Sequence, residues 1–252
     1  MKRVETKVDL NDFPVKLHGL LQAGKLYDSS CSPAARTLYC DVGYYIKTAP
    51  KGSLALEAEL GRLFHRLGLG VEVMEYVSTD RDDLVTRSAD GEDLTHSFND
   101  PEMLCRIMAQ GLRKLHSQSV AGIPTSSKLV DYSDLSGFND YLRMDYIGIH
   151  SREEALAVIE VNRDRLKADT LIHGDACLPN VICRDGRFVS FIDCGLAGLG
   201  DRHIDLFWAI WSLQFNLKTE GYTEYFLDQY GREHIDFETL KTVAVFELLG
   251  GE

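Results

Sequence analysis

A mixed α+β chain in two lobes, a small β-rich one followed by a larger helical one, is the fold class this sequence predicts. Three observations carry it. Short β-prone runs separated by turn residues fill the first third, helix-spaced apolar residues dominate from residue 100 onward, and a single polar-ended hairpin interrupts the helical part. At 252 residues the chain suits one large domain or two small lobes, and 44% apolar residues suffice for a substantial core. The polar stretch Ser88-Ala89-Asp90-Gly91 reads as the boundary, giving a lobe over 1–87 and a second over 88–252.

In the first lobe, Arg36 to Cys40 and Tyr44 to Lys47 predict two strands joined at Asp41-Val42-Gly43. Ser53 offers a helix N-cap, Leu56, Leu60, Leu63, Phe64 and Leu67 recur at helical spacing, and Gly68 is the stop. Val71 to Tyr76 and Asp83 to Arg87 predict two more strands. In the second lobe, Asp100 caps a helix with Pro101 at its first position, and Leu104, Ile107, Met108, Leu112 and Leu115 form its buried stripe. The Ser/Gly/Asp-rich stretch from Thr125 to Asp140 reads as loop, followed by a polar helix around Glu153 to Lys167. Asp201 opens the apolar run Ile204 to Phe215, in which Trp208 and Trp211 read as core rather than as sugar-stacking platforms. Asp236 caps the last helix, which ends near Gly250.

The chemistry is concentrated around His173-Gly174-Asp175 and Asn180, followed by Asp193-Cys194-Gly195. Phosphoryl transfer needs one carboxylate near the attacking hydroxyl, and an amide and a second carboxylate to hold Mg²⁺ against the phosphates. Val181 to Cys183 and Phe188 to Ile192 are β-prone, with Asp185-Gly186 between them as a tight-turn signal. Folding that hairpin brings Asn180 and Asp193 together as oxygen ligands of the kind Mg²⁺ takes. Asp175 is then the catalytic carboxylate.

Lys47 ends a predicted strand and Glu57 lies in the first turns of the next helix, an arrangement that pairs the lysine for the α- and β-phosphates. Glu59 is the competing partner, but Glu57 shares a side of the helix with Leu60 and Phe64. The small polar residues Asp28 to Pro33 can present backbone N–H groups to a phosphate. No glycine-rich phosphate loop and no Walker A motif is present.

A net charge of −12 argues against nucleic-acid and anionic-membrane surfaces and is compatible with a cationic substrate. No apolar run is long enough to cross a bilayer, and residues 1–9 lack the apolar core of a secretion signal, so a cytoplasmic location is the expectation. The six cysteines then read as reduced thiols, and without a C-x-x-C pair they do not suggest zinc.

His173-Gly174-Asp175-Ala176-Cys177-Leu178-Pro179-Asn180, with Gly186-Arg187-Phe188, Phe191-Ile192-Asp193-Cys194-Gly195 and Gly198-x-x-Asp201-Arg202-x-x-Asp205, resembles the aminoglycoside 3′-phosphotransferases of the kinase-like superfamily. Cys31-Ser32-Pro33-Ala34, Tyr45-Ile46-Lys47-Thr48, Ala89-Asp90-Gly91 and Leu115-His116-Ser117 extend the resemblance over nearly the whole chain. It implies a protein-kinase-like two-lobed fold with a nucleotide-binding N-lobe and a catalytic and substrate-binding C-lobe. It implies transfer of the γ-phosphate of ATP or GTP to a hydroxyl of an aminoglycoside, with antibiotic resistance as the outcome. The backbone of Ser32 would close over the phosphates and the backbone at Ala89 would hold adenine. Glu247 sits where the family places an acidic group against the antibiotic's amines, and Glu252, Glu153, Glu154 and Asp145 are the other acidic candidates. The chain departs from the family at Leu196, where an arginine is common, and at Phe215-Asn216, where acids are common. Those departures leave open a same-fold kinase acting on another hydroxylated or cationic metabolite. A nucleotide-binding partner protein without activity is the third reading, and the presence of Lys47, Glu57, Asp175, Asn180 and Asp193 together argues against it.

Overall fold

The computed structural model describes residues 4–31, 33–137, 139 and 148–250; Ser32, Asp145 and Glu252 lie outside them. The chain forms two compact units, Met1–Asp90 and Gly91–Glu252. The sequence reading divides it after Arg87. Ser88 stays with the first unit because its N–H donates to the Gly43 carbonyl at 2.9 Å. Gly91 begins the second because it lies against the backbone of Cys183, where an added Cβ would stand 2.3 Å from the carbonyl oxygen.

The first unit contains β1 (Val4–Thr6), α1 (Val15–Leu21), β2 (Leu26–Asp28), β3 (Arg36–Cys40), β4 (Tyr44–Pro50), α2 (Ala55–Arg66), β5 (Val73–Ser78) and β6 (Arg81–Arg87). Its strands form one antiparallel sheet in the order β1-β2-β3-β4-β6-β5. Successive strand residues face opposite sides, and the core follows that period. Phe13, Leu17 and Leu21 pack with Leu38, Ile46 and Val85 on one side. On the other, Leu54 and Ala58 of the α2 region pack with Ala49 and Leu84. Alternation therefore sends Ile46 to the α1 side and Lys47 to the α2 side.

The start of α2 differs from the sequence reading. Leu54 occupies the N-cap position, and Ser53 instead donates its hydroxyl to the Pro50 carbonyl at 2.6 Å. The backbone N–H of Leu54 is taken by buried Asp82 at 3.0 Å, a partner 28 residues away that local capping rules do not reveal. Leu56 of the expected apolar stripe is exposed; Leu54, Ala58, Leu60 and Phe64 are the buried residues.

The second unit contains β7 (Glu92–Asp93), α3 (Pro101–His116), α4 (Ser127–Asp131), α5 (Arg152–Asn162), β8 (Thr170–Ile172), β9 (Val181–Arg184), β10 (Arg187–Phe191), β11 (Gly198–Gly200), α6 (Arg202–Leu217), α7 (Thr223–Tyr230) and α8 (Phe237–Leu249). The strands make two small sheets, β10-β9-β7 and β11-β8. Asp100, Ser151, Asp201 and Asp236 cap α3, α5, α6 and α8 by accepting from backbone N–H groups in the first turn. Short α4 lies where the sequence predicts loop. From Thr242 to Leu249 every residue of α8 is buried, which is why apolar periodicity does not delineate it. Among the described residues no helix is long and apolar enough to cross a membrane.

Candidate active site

The hairpin β9–β10 builds the centre of the second unit. Asp185 and Gly186 both adopt positive φ, 52° and 70°, the pair that a two-residue turn matched to strand twist requires. The strands close until the N–H of Ile192 donates to the carbonyl of Asn180 at 3.0 Å. Asn180 thus sits beside the residue preceding Asp193. Asp193 itself takes a left-handed conformation (φ 55°, ψ 53°) and is exposed, ending the strand direction at the D-x-G sequence.

Asn180 also fixes Asp175. Its Nδ2 donates to Asp175 Oδ2 at 2.8 Å and to the Asp175 carbonyl at 3.0 Å. Both bonds engage the amide nitrogen, so Oδ1 is the side-chain oxygen of Asn180 left for a hard cation. Asp175 Oδ2 is thereby held. His173 serves the backbone. Its Nδ1 accepts from the Asp175 N–H at 3.2 Å and its Nε2 lies 2.8 Å from the Ile192 carbonyl, so the ring carries its proton on Nε2 and ties the loop to the hairpin.

A buried carboxylate beneath this loop fixes its backbone. Asp205 of α6 accepts the N–H groups of His173 and Gly174, each at 2.8 Å, and its Oδ2 meets His116 Nε2 at 3.0 Å. His116 Nδ1 reaches the Tyr230 hydroxyl at 2.8 Å, so α3, α6 and α7 all brace the loop. Gly174 is required here: its φ is +83°, and a Cβ would come within 2.3 Å of the Leu196 carbonyl oxygen. Burial, and then the charge of Asp175, push the Cys177 thiol far above its usual range, so it stays protonated and does not act as a nucleophile.

In the first unit, Lys47 and Glu57 form the anticipated pair, with Nζ 2.9 and 2.8 Å from the two carboxylate oxygens. The lysine comes from β4, opposite Thr37 of β3 and Leu84 of β6, and the glutamate from the first turn of α2. Asp82 holds that turn through Leu54, and also accepts from the Tyr76 hydroxyl at 3.0 Å and the Ser78 hydroxyl at 2.7 Å. Burial pushes the Asp82 carboxyl up, but these donors with the backbone of Gly52 more than offset it and hold it below the usual range. In the loop after β2, Asp28 accepts the Ser30 N–H at 2.9 Å and the Ser30 hydroxyl accepts the Thr37 N–H at 3.0 Å. Ala89 is half-buried after β6.

The model of the phosphotransferase enzyme family matches residues 36–241. The chain is 38% identical over 257 residues to a probable aminoglycoside 3′-phosphotransferase of Lactococcus lactis, covering 98% of both chains. The chain belongs to the phosphotransferase enzyme family, among the aminoglycoside phosphotransferases. Its fold is the protein-kinase-like α+β fold of that family: the aminoglycoside phosphotransferase of Streptomyces rimosus superposes with a TM-score of 0.76 at 19% identity, over 97% of this chain and 100% of the other. A second structure of that enzyme, in complex with ADP and streptomycin, superposes with a TM-score of 0.70 at 18% identity, over 98% of this chain and 100% of the other.

The acidic residues expected on the acceptor side of this phosphotransferase have dissimilar surroundings. Glu153 is exposed in the first turn of α5. Glu154 serves the helix itself: its N–H donates to the Ser151 hydroxyl at 3.2 Å and its carboxylate accepts the His150 N–H at 2.8 Å, a reciprocal cap. Glu247 is buried, and its carboxylate already accepts from Lys128, Tyr132 and Trp208. Tyr230, Ser212 and Lys128 play no part in the sequence reading. Their partners are distant in sequence, so no local pattern marks them. Asp205 and His116 appear there only as landmarks; an aspartate inside the apolar run from Ile204 is the one signal that a buried acceptor is needed.

Proposed function

We propose that this chain is a kinase that transfers the γ-phosphate of ATP or GTP to a hydroxyl of an aminoglycoside, acting in the cytoplasm as a resistance enzyme. The observation that carries the reading is the Asn180 amide holding Asp175 at 2.8 Å at the end of the hairpin that delivers Asp193. The full-length Lactococcus lactis relative supports the acceptor class. In this reading Asp175 orients the acceptor hydroxyl and takes its proton as the oxygen bonds to the γ-phosphorus. The bond from that phosphorus to the bridging oxygen breaks, and the nucleoside diphosphate leaves. Lys47, oriented by Glu57, places a point charge against the α- and β-phosphates. The backbones of Ser32 and Ala89 serve the phosphates and the adenine.

Asn180 Oδ1 and the Asp193 carboxylate are hard oxygen donors that fit Mg²⁺, which would neutralise charge on the phosphates. Asp205 keeps the loop backbone in place throughout. Glu153 and Glu252 are retained as partners of acceptor ammonium groups, and Glu154 only after its cap opens.

A second reading changes the acceptor to another hydroxylated or cationic metabolite. It is favoured by Leu196 and by Phe215-Asn216, which bring no charge where carboxylates and an arginine are common in the family. The test is nucleotide consumption with a panel of aminoglycosides and of simpler amino alcohols. Stimulation by kanamycin or neomycin is the expected result. Stimulation by amino alcohols alone would move the acceptor to the second class.

A further inference from the structure

The family resemblance places Glu247 against the amines of a ligand, and in the structure it already meets an amine. On α8 its Oε2 accepts from the ammonium of Lys128 at 3.0 Å. Oε1 accepts from the Tyr132 hydroxyl at 2.8 Å and from Trp208 Nε1 at 3.0 Å. The same Lys128 ammonium stands 5.0 Å from the centre of the Trp208 ring. An anionic oxygen on one side and an indole face on the other are the two elements that recognise a primary ammonium. Two neutral donors fix the carboxylate, and burial with the neighbouring Glu247 charge pushes the Tyr132 phenol well up, so it remains a donor. The side chains of Lys128 and Glu247 are only 16% and 7% exposed, so this is an enclosed pair and not a solvated surface bridge.

The placement of Lys128 is built in. Ser126, just ahead of α4, donates its hydroxyl to the Leu196 carbonyl at 2.6 Å and its N–H to the Leu199 carbonyl at 2.9 Å. The N–H of Lys128 then reaches the Ser126 hydroxyl at 3.3 Å. The arrangement also borders the catalytic loop. Leu178 donates its N–H to the Ser212 hydroxyl at 2.9 Å, one helical turn beyond Trp208 on α6. The Lys128 charge also acts on the Cys177 thiol, two residues from Asp175.

We propose that Glu247, Trp208 and Tyr132 form a binding site for a primary ammonium group that Lys128 fills from within the chain. With Lys128 in place the site is neutral and closed, so an acceptor ammonium gains nothing there, and Lys128 sets acceptor preference against a charged amine at that position. The site itself is independent of the aminoglycoside reading. Its effect on acceptor choice rests on that reading.

Replacing Lys128 by alanine removes the three outer methylenes and the ammonium, which are the atoms of n-propylammonium. The Lys128→Ala protein should melt below wild type. Titration with propylammonium chloride, against sodium chloride at equal ionic strength, should restore about 2–4 °C in a saturable way. Lys128→Met, which keeps the stem's bulk without its charge, and Lys128→Ala/Glu247→Gln should not respond. Equal melting in the two salts, or the same response in either control, would overturn the site. If Lys128→Ala does not fold in sodium chloride, refolding yield in the two salts gives the same comparison, and equal yields would overturn it. For acceptor preference, Lys128→Ala should lower the KM for kanamycin about tenfold, the scale of one charge-assisted contact, with the KM for ATP unmoved. An unchanged kanamycin KM in the amine-responsive variant would remove Lys128 as a determinant. Should wild type phosphorylate no aminoglycoside, the functional reading fails while the amine titration still decides the site.

Discussion

In the proposed reaction Asp175 acts as a base or an orienting group, and the Asn180 amide holds its carboxylate in place. Asn180 spends both N–H bonds on Asp175, one on the side chain at 2.8 Å and one on the carbonyl at 3.0 Å. Asp175→Asn should therefore leave nucleotide affinity near wild type while lowering turnover by ~10²–10⁴-fold, the usual scale of a general-base or positioning group. Equilibrium nucleotide binding and steady-state rates on the same preparation check it, and wild-type turnover in a folded variant would remove Asp175 from its role. Much of this level is legible in the sequence, because His173, Asp175, Asn180 and Asp193 lie close along the chain and a hairpin signal between the last two says how they meet. Lys128 is not legible, because its partner is 119 residues away and no spacing rule links the two.

Among the elements, β6 carries two adjacent buried carboxylates with opposite behaviour. Asp82 has its folded value held below the usual one by its donors, so its contribution is present above about pH 4 and is lost as pH falls through the folded value. Burial pushes the Asp83 carboxyl up, and the Thr48 hydroxyl at 2.6 Å and the Arg81 guanidinium at 4.0 Å on one oxygen only partly oppose it, while the other oxygen has no hydrogen-bond partner. The fold therefore favours protonated Asp83, and that contribution is lost as pH rises through the raised value. Asp83→Asn should melt above wild type at pH 7, with the gap closing as pH is lowered. Melting curves between pH 4 and 8 test this, and a variant less stable than wild type at pH 7 would contradict it. The start of α2 shows why the sequence misplaces its cap. Ser53 is a good local cap residue, but Asp82 already serves the Leu54 N–H from across the unit, and a tertiary contact overrides the local rule. The hairpin and the capped starts of α3 and α8 are legible because their determinants are neighbours in sequence. α4 and α7 are not, being short and dependent on tertiary partners.

For the whole molecule, the order of elements is legible because the change from β-prone runs to helical periodicity falls at one polar stretch. Its position within that stretch is not, since the Ser88 bond to Gly43 and the close approach of Gly91 to Cys183 decide it. The first unit holds Lys47 paired with Glu57, and the second holds Asp175 on the Asn180 amide at the end of the hairpin that leads to Asp193. In the proposed function these groups together move a phosphoryl group onto an aminoglycoside hydroxyl. Mass spectrometry of kanamycin after incubation with ATP, Mg²⁺ and the wild-type chain tests it most directly. The expected product is kanamycin carrying one phosphoryl group, formed mole for mole with ADP. Unmodified kanamycin alongside ADP and free phosphate would contradict it.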